Sequence, residues 1–331
     1  MSLTSSRQSV CLSVQREYGE LAIRTAKKLG ALDETLKIRS EDDRILIPLA
    51  RRLSDSEHSN LCSLIEDFYI SSADFPMNTR RPKTILEALE DTLPPHLLAS
   101  LPNSLDIVGN IAIVHVPEEL TNHTRELGEA IMRVNRHVRT VLRKIGSVEG
   151  QLRVRQFQLI AGEDKTETLH KEFGCKYRVD PTKVYFSPRL SSEHDRVASK
   201  VKNNEVVLDM FAGVGPFSIL IGKRHSDVKV YAVDVNPDAI RFLKENVDLN
   251  RVRDRVVPIQ GDVQSVIRNQ LKGVADRIIM NLPLESMRFI DVACEAFKTS
   301  GGTIHYYAFG QDPDALDKAR RGLVRAVAAA G

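Results

Sequence analysis

From residue 205 onward the chain alternates between two kinds of segment, and this alternation restricts the fold more than any other feature. EVVLDMF, VKVYAVDV, RVVPIQGD, DRIIMNL and GTIHYYAF are apolar, β-rich runs. GPFSILIGKRH, PDAIRFLKENVDLN, VQSVIRNQL and SMRFIDVACEAFK separate them with helical spacing. Strand and helix in strict alternation predict a parallel sheet wrapped by helices, an α/β Rossmann-like unit. Strands covered on both faces read as continuous apolar runs, as these do.

The first strand–helix junction, DMFAGVGPF over residues 209–217, carries the strongest local signal. Gly213 and Gly215 let the backbone turn sharply and approach a ligand without a Cβ clash. Asp234 ends the next strand about 20 residues later, where a carboxylate can accept from both ribose hydroxyls. A dinucleotide fingerprint has a third glycine; here Ser218 holds its place. That weakens a nicotinamide reading and favours S-adenosylmethionine. Gly261 and Asp262 follow the third strand, where a carboxylate can accept from an adenine amino group. Asn281, Leu282 and Pro283 end the fourth. All four points fall at carboxyl ends of strands, where open α/β sheets bind ligands. The expected cofactor-binding set is Asp209, Phe211, Gly213, Gly215, Asp234, Val235, Asn236, Asp262, Asn281 and Pro283, with Arg189 from upstream. The Asn281 triplet resembles the Asn-Pro-Pro-Tyr-like motif of amino-methylating enzymes, whose amide oxygen holds a planar nitrogen near the methyl donor.

With 331 residues, about 200 of them upstream, the chain is long enough for two or three domains. Residues 1–72 read as a small α/β domain: strand QSVCLSV, a helix over 15–29 stopped by Gly30, and strand RILIPLA. Residues 71–83, polar with Pro76 and Pro82, read as a linker. Residues 80–190 read as a middle α+β domain: helix ILEALEDTL, a strand pair turning at Gly109–Asn110, a helix over 126–144, and short β-like runs including KVYFSP. In that helix Arg133, Arg136, Arg139 or Thr140, and Arg143 would line one face with positive charge. Residues 191–331 form the cofactor-binding domain. A full seven-stranded sheet of this type needs two more strands after DPDALDKARRGLVRAVAAAG, so the C-terminal strands are expected to be missing.

Composition narrows the partners. Lys and Arg total 47 against 44 Asp and Glu, so any nucleic-acid surface must be local. Cys11, Cys62, Cys175 and Cys294 show no metal spacing and fit a reducing cytosol; no metal site is expected. No run approaches the roughly 18 apolar residues of a membrane span. No signal peptide is visible, and a cytoplasmic monomer is expected.

KVYFSPRLSSE, VVLDMFAGVGPFSI, VYAVDVNPDAI, GDV, RIIMNLPLES and GGTIHYYAFG together resemble the archaeal and eukaryotic tRNA methyltransferases that methylate N1 of guanosine 37. IAGEDKTETLHKE (160–172) and residues 93–117 are also similar to that family, and residues 9–70 resemble its small tRNA-docking domain. The resemblance implies a tRNA partner, contacted at the anticodon loop and body. It implies Glu193 as general base. It also implies an arginine from the preceding domain, Arg153 or Arg155, against charge developing on guanine O6. Arg189 is a further contact for guanine or phosphate. The family often has Arg after the Glu; here His194 stands there, which puts one substrate contact in question. His170 receives no role. The related readings are a wybutosine-pathway enzyme, transferring an aminocarboxypropyl group or methylating the tricyclic precursor, and an inactive tRNA-binding paralogue.

Overall fold

A computed structural model describes residues 6–78, 82–149, 154–310 and 314–329. The chain divides into two compact units between Pro82 and Lys83.

The first unit contains β1 (Ser6–Gln15), α1 (Gly19–Lys28), β2 (Arg39–Glu41), β3 (Arg44–Pro48), α2 (Asp55–Leu64) and β4 (Phe68–Pro76). The strands form one antiparallel sheet in the order β2-β3-β1-β4. Leu12 and Val14 pack with Ala22, Ala26 and Leu61 on one face. Cys11 packs with Leu46 and Phe75 on the other. The first part of the expected linker, residues 71–76, is strand: β4 pairs with β1 from Val14↔Phe68 to Ser6↔Pro76. An edge strand faces solvent, so polar SSAD is tolerated, and Pro76 falls at its end where no ladder donor is needed.

The second unit opens with α3 (Ile85–Leu89) and α4 (Pro95–Leu98). There follow β5 (Leu105–Val108), β6 (Ile111–Val114), α5 (Thr124–Val134), β7 (Thr140–Glu149) and β8 (Val154–Gly162). The sheet order is β5-β6-β7-β8, with β6 and β7 parallel across α5. The helix expected to run to residue 144 ends ten residues earlier. Thr140, Val141 and Leu142 pair with β6 instead; β-branched residues suit a buried sheet better than a helix end. The expected stripe of arginines on one helix face therefore does not form: Arg133 is on α5, Arg136 and Arg139 lie in the connection, and Arg143 is in β7.

The hairpin of β9 (Thr168–Glu172) and β10 (Cys175–Val179) comes next. KVYFSP is irregular, not a strand. Val184 and Phe186 nevertheless pack in a cluster joining the middle sheet to Val214, Ala239 and Phe242.

The remaining elements are α6 (Ser191–Ala198), β11 (Val206–Asp209), α7 (Pro216–Arg224), β12 (Lys229–Asp234), α8 (Pro237–Asn250), β13 (Val256–Gln260), α9 (Val263–Val266), β14 (Arg277–Met280), α10 (Ile290–Ala296), β15 (Thr303–Tyr306) and α11 (Ala315–Ala329). All five strands pair in parallel, in the order β13-β12-β11-β14-β15. The order reverses between β11 and β14, and open sheets form their ligand crevice at such a switch point. Among the described residues β15 is an edge, followed by α11.

Asn246 and Asn250, one turn apart on α8, fasten β10 to this domain. Asn246 accepts from the Arg178 N–H at 2.6 Å and donates to its carbonyl at 3.0 Å. Asn250 does the same for Lys176, at 2.9 and 2.7 Å. Both amides are buried, and they satisfy backbone groups along a strand edge that has no neighbour. Asn246→Ala should cost about 2–3 kcal/mol, since it orphans a buried N–H and a carbonyl together. Urea denaturation checks this; an unchanged midpoint counts against the fastening role.

Candidate active site at the carboxyl rim of the sheet

The glycine turn after β11 is built for close approach. Gly213 and Gly215 have φ of 55° and 88°, both left-handed. A Cβ on Gly215 would lie 2.3 Å from Leu243 Cδ1, so packing demands glycine there. A Cβ on Gly213 would meet only the Tyr185 carbonyl oxygen, at 3.7 Å, so that side of the turn is open. The Gly213 N–H donates to Asp234 Oδ2 at 2.7 Å and the Asn236 N–H to Oδ1 at 2.8 Å. Each oxygen keeps a lone pair for a further donor. Burial pushes the Asp234 carboxyl up, against these amide bonds. Val235, beside it, is 44% exposed, an apolar surface at the rim.

Three of the expected cofactor contacts have bonding partners within the protein. Asp209 is fully buried and presents nothing to the crevice. Its Oδ2 accepts from the Ser218 hydroxyl at 2.7 Å, and burial pushes its pKa up to about 7. Ser218 thus stands in the third-glycine place because its hydroxyl underpins the turn. Asn236 is buried too. It caps α8 through the Asp238 N–H and donates to the Lys183 carbonyl oxygen at 2.9 Å. Arg189 donates from Nε to Asp106 Oδ1 at 2.5 Å, in a cleft beside the middle sheet.

Asp262 is exposed and caps α9, its Oδ2 accepting from Ser265. Phe211 stacks edge-on against Phe289, with centroids 5.1 Å apart. The Asn281–Pro283 loop is held by Ser286, whose hydroxyl donates to the Met280 and Leu282 carbonyl oxygens. Asn281 and Pro283 are half-buried there.

The Arg189 cleft, of about 220 Å³, is lined by Asp106, Lys144, Arg155, Tyr185, Phe186 and Arg189. Tyr185 joins it to the glycine turn through its contact at Gly213. Burial raises the Asp106 pKa, but the Lys144 ammonium and Arg189 guanidinium bonded to it hold it below the usual range. Arg155 and Phe157 are two residues apart on β8 and so share a face, and both line this cleft. Arg153 lies outside the described residues.

Glu193 is on α6. Tyr307 follows Tyr306, which pairs with Met280, so Tyr307 and Asn281 leave adjacent strands side by side. The Tyr307 hydroxyl donates to Glu193 Oε1 at 2.5 Å. His194 turns the other way. It is 1% exposed, bonded to Glu172 at 2.7 Å, and packed edge-on against Phe217. His194 is therefore part of the scaffold. The groups missed by sequence reasoning are Asp106, Arg196 and Tyr307. Only the Tyr-Tyr pair at the end of a strand offered a signal.

The TRM5/TYW2 methyltransferase domain profile matches residues 168–330, the TYW2 N-terminal domain 85–166, and the tRNA methyltransferase 5 N-terminal domain 11–57. The tRNA (guanine(37)-N(1))-methyltransferase Trm5b of Pyrococcus abyssi is 42% identical over 92% of this chain and 86% of its own length. This chain belongs to the TRM5/TYW2 methyltransferase family. A solved complex of aTrm5 with tRNALeu superposes with a TM-score of 0.78 at 34% identity, covering 94% of this chain and 91% of that one. The tRNA 4-demethylwyosine(37)-methyltransferase Taw21 of Saccharolobus solfataricus is 37% identical over 70% of this chain and 87% of its own length. TYW2 of Pyrococcus horikoshii in complex with MeSAdo superposes with a TM-score of 0.60 at 32% identity, over 73% of this chain and 85% of that one.

Proposed function

We propose that this chain methylates N1 of guanosine 37 in tRNA, using S-adenosylmethionine. One observation carries the choice within the family. Two guanine-N1 relatives, the Trm5b proteins of Pyrococcus abyssi and Methanocaldococcus jannaschii, correspond to the chain over 92% of its length, and residues 11–57 match the tRNA methyltransferase 5 N-terminal domain, whereas Taw21 and the Pyrococcus horikoshii TYW2 correspond over 70% and 73%.

The rim fits the cofactor. The open side of Gly213 leaves room for its backbone-hugging portion, Asp234 retains lone pairs for ribose hydroxyls, and Val235 offers an apolar edge for adenine. Asp262 is placed to accept from the adenine amino group. When bound, the cofactor supplies an electrophilic methyl group on sulfonium.

Guanine N1 carries a proton near neutrality, so methylation requires a base. Glu193 takes that role, and Asn281 orients the guanine edge. As the proton leaves, negative charge grows on O6. A guanidinium donates in a fixed plane and stays charged, which suits Arg155 in the cleft. Arg189, held by Asp106, contacts the guanine or its phosphate. Unstacking the target base into the cleft follows the general practice of enzymes that modify base edges.

A second cleft, of about 600 Å³, supports docking of RNA. His137, Lys165, Lys171 and Arg178 line it, with Glu167 the one acidic side chain among its lining residues. Glu167 is occupied by Arg178 at 2.9 Å, which leaves Lys165 and Lys171 for phosphates. Reversing both to Glu should weaken tRNA binding and flatten the slope of log K against log salt by about 2, leaving cofactor affinity unchanged. Filter binding at several salt concentrations measures this; an unaltered slope removes the cleft from the RNA path. Among the described residues no helix is long and apolar enough to cross a membrane. Its partner class and its free thiols fit action in the cytoplasm as a monomer.

The deciding experiment is incubation with unmodified tRNA transcript and methyl-labelled cofactor, followed by nucleoside analysis. Label in 1-methylguanosine, lost when guanosine 37 is replaced, is the expected result. A parallel arm uses cofactor labelled in its aminocarboxypropyl chain, because that transfer leaves the methyl on sulfur; either label found only on tRNA already carrying a tricyclic base assigns the chain to the wybutosine branch, and transfer of neither with cofactor bound assigns it to an inactive binder.

A further inference from the structure

Glu193 is gripped by donors from two elements. Arg196, one turn along α6, donates from Nε to Oε2 at 2.6 Å and from Nη2 to Oε1 at 2.5 Å. Tyr307, just past β15, donates its hydroxyl to Oε1 at 2.5 Å. A carboxylate has about four acceptor positions, two on each oxygen. Oε1 has both of its positions filled, and Oε2 has one of two. The helix cannot easily roll to offer a different geometry, because the adjacent His194 is locked between Glu172 and Phe217.

We propose that Arg196 and Tyr307 are positioning residues that hold Glu193 as an oriented carboxylate with a single open acceptor position, on Oε2, at the rim beside Asn281. The inference rests on the reading of Glu193 as base. The guanine N1 proton passes to Oε2. The electron pair left on N1 forms the bond to the methyl carbon, and the carbon–sulfur electrons stay on sulfur.

The surroundings fit this arrangement. Bonding to Arg196 holds the Glu193 pKa below the usual carboxylate range; burial opposes it, and Tyr307 adds to it. The other groups near it are on β15 and β14. His305 is pushed down to about 4, by burial first and then by Arg277, so it is neutral near pH 7. Arg277 is bonded to Glu205 at 2.7 Å and to the Lys200 carbonyl oxygen. Arg196 is thus the cation that bonds Glu193 directly. It also answers the departure at residue 194: the guanidinium beside the base comes from three residues further on, because position 194 faces the core.

The test is a pair of double-mutant cycles, read as single-turnover methylation with saturating tRNA and cofactor. Tyr307→Phe and Arg196→Gln are each made alone and on Glu193→Gln. Alone, each should slow the chemical step by about tenfold or more, the usual effect of removing a hydrogen bond to a charged group. Added to Glu193→Gln, each should change the rate by less than about twofold, since no base remains to position. Thermal midpoints and cofactor titration establish that the variants are folded. Losses that multiply with Glu193→Gln overturn the proposal and leave Glu193 standing as base. A Glu193→Gln enzyme of normal rate overturns the base reading, and the proposal with it.

Discussion

Glu193→Gln should lower the single-turnover rate by about 10²- to 10⁴-fold, the range of positioned general-base catalysis. The substitution is nearly isosteric. The amide oxygen can still accept from Tyr307 but cannot take a proton from guanine N1. Cofactor affinity should stay near normal, because Asp234, Val235 and the glycine turn are untouched; calorimetric titration reads this separately from the rate. Stability should move little. The Arg196 side chain that loses its partner is about half exposed, and exposed ion pairs contribute at most about 1 kcal/mol. A variant within about threefold of wild type would falsify the role of Glu193.

Arg155→Ala should cost about 10²- to 10³-fold in the chemical step, as removal of one donor to a developing oxyanion does elsewhere. Arg155→Lys should recover little, since an ammonium lacks the planar pair of donors. Arg153→Ala is the companion measurement and should leave the chemical step close to wild type. Arg155 and Phe157 lie on the same face of β8 and line the cleft that adjoins the glycine turn. A loss concentrated in Arg153→Ala moves the catalytic arginine two residues upstream and leaves Arg155 as an RNA contact.

The methyltransferase sheet was legible residue by residue. Its strands are buried on both faces and therefore apolar throughout, and its turns need glycine where φ is positive. Both are local requirements, so EVVLDMF and the turn after it could be placed without knowing their neighbours. The segments that misled were those whose conformation a partner decides. Residues 71–76 look like a linker until β1 pairs with them along their whole length. Residues 140–144 carry helical charge spacing, yet Thr140 to Arg143 pair with β6. KVYFSP has the composition of a strand, but its apolar side chains fill the seam between two sheets.

The site divides in the same way. Asp234, Gly213 and Asn281 were readable because a strand end and a backbone turn fix them within a few residues. Asp209 and Asn236 read as cofactor positions, and His194 as a departure from the family's Arg; that all three are buried was set by packing. Asp106 and Tyr307 could not be found from spacing, because each is bonded to a residue on another element; Asp106 and Arg189 are 83 positions apart and Tyr307 and Glu193 are 114. Sequence alone determined the fold class and the glycine turn, since each follows from short-range periodicity or from a compact motif, while Glu193 was named through the family resemblance. Which arginine reaches the cleft, what holds the base, and which polar groups are hidden were decided by long-range packing, because only packing sets distance and burial.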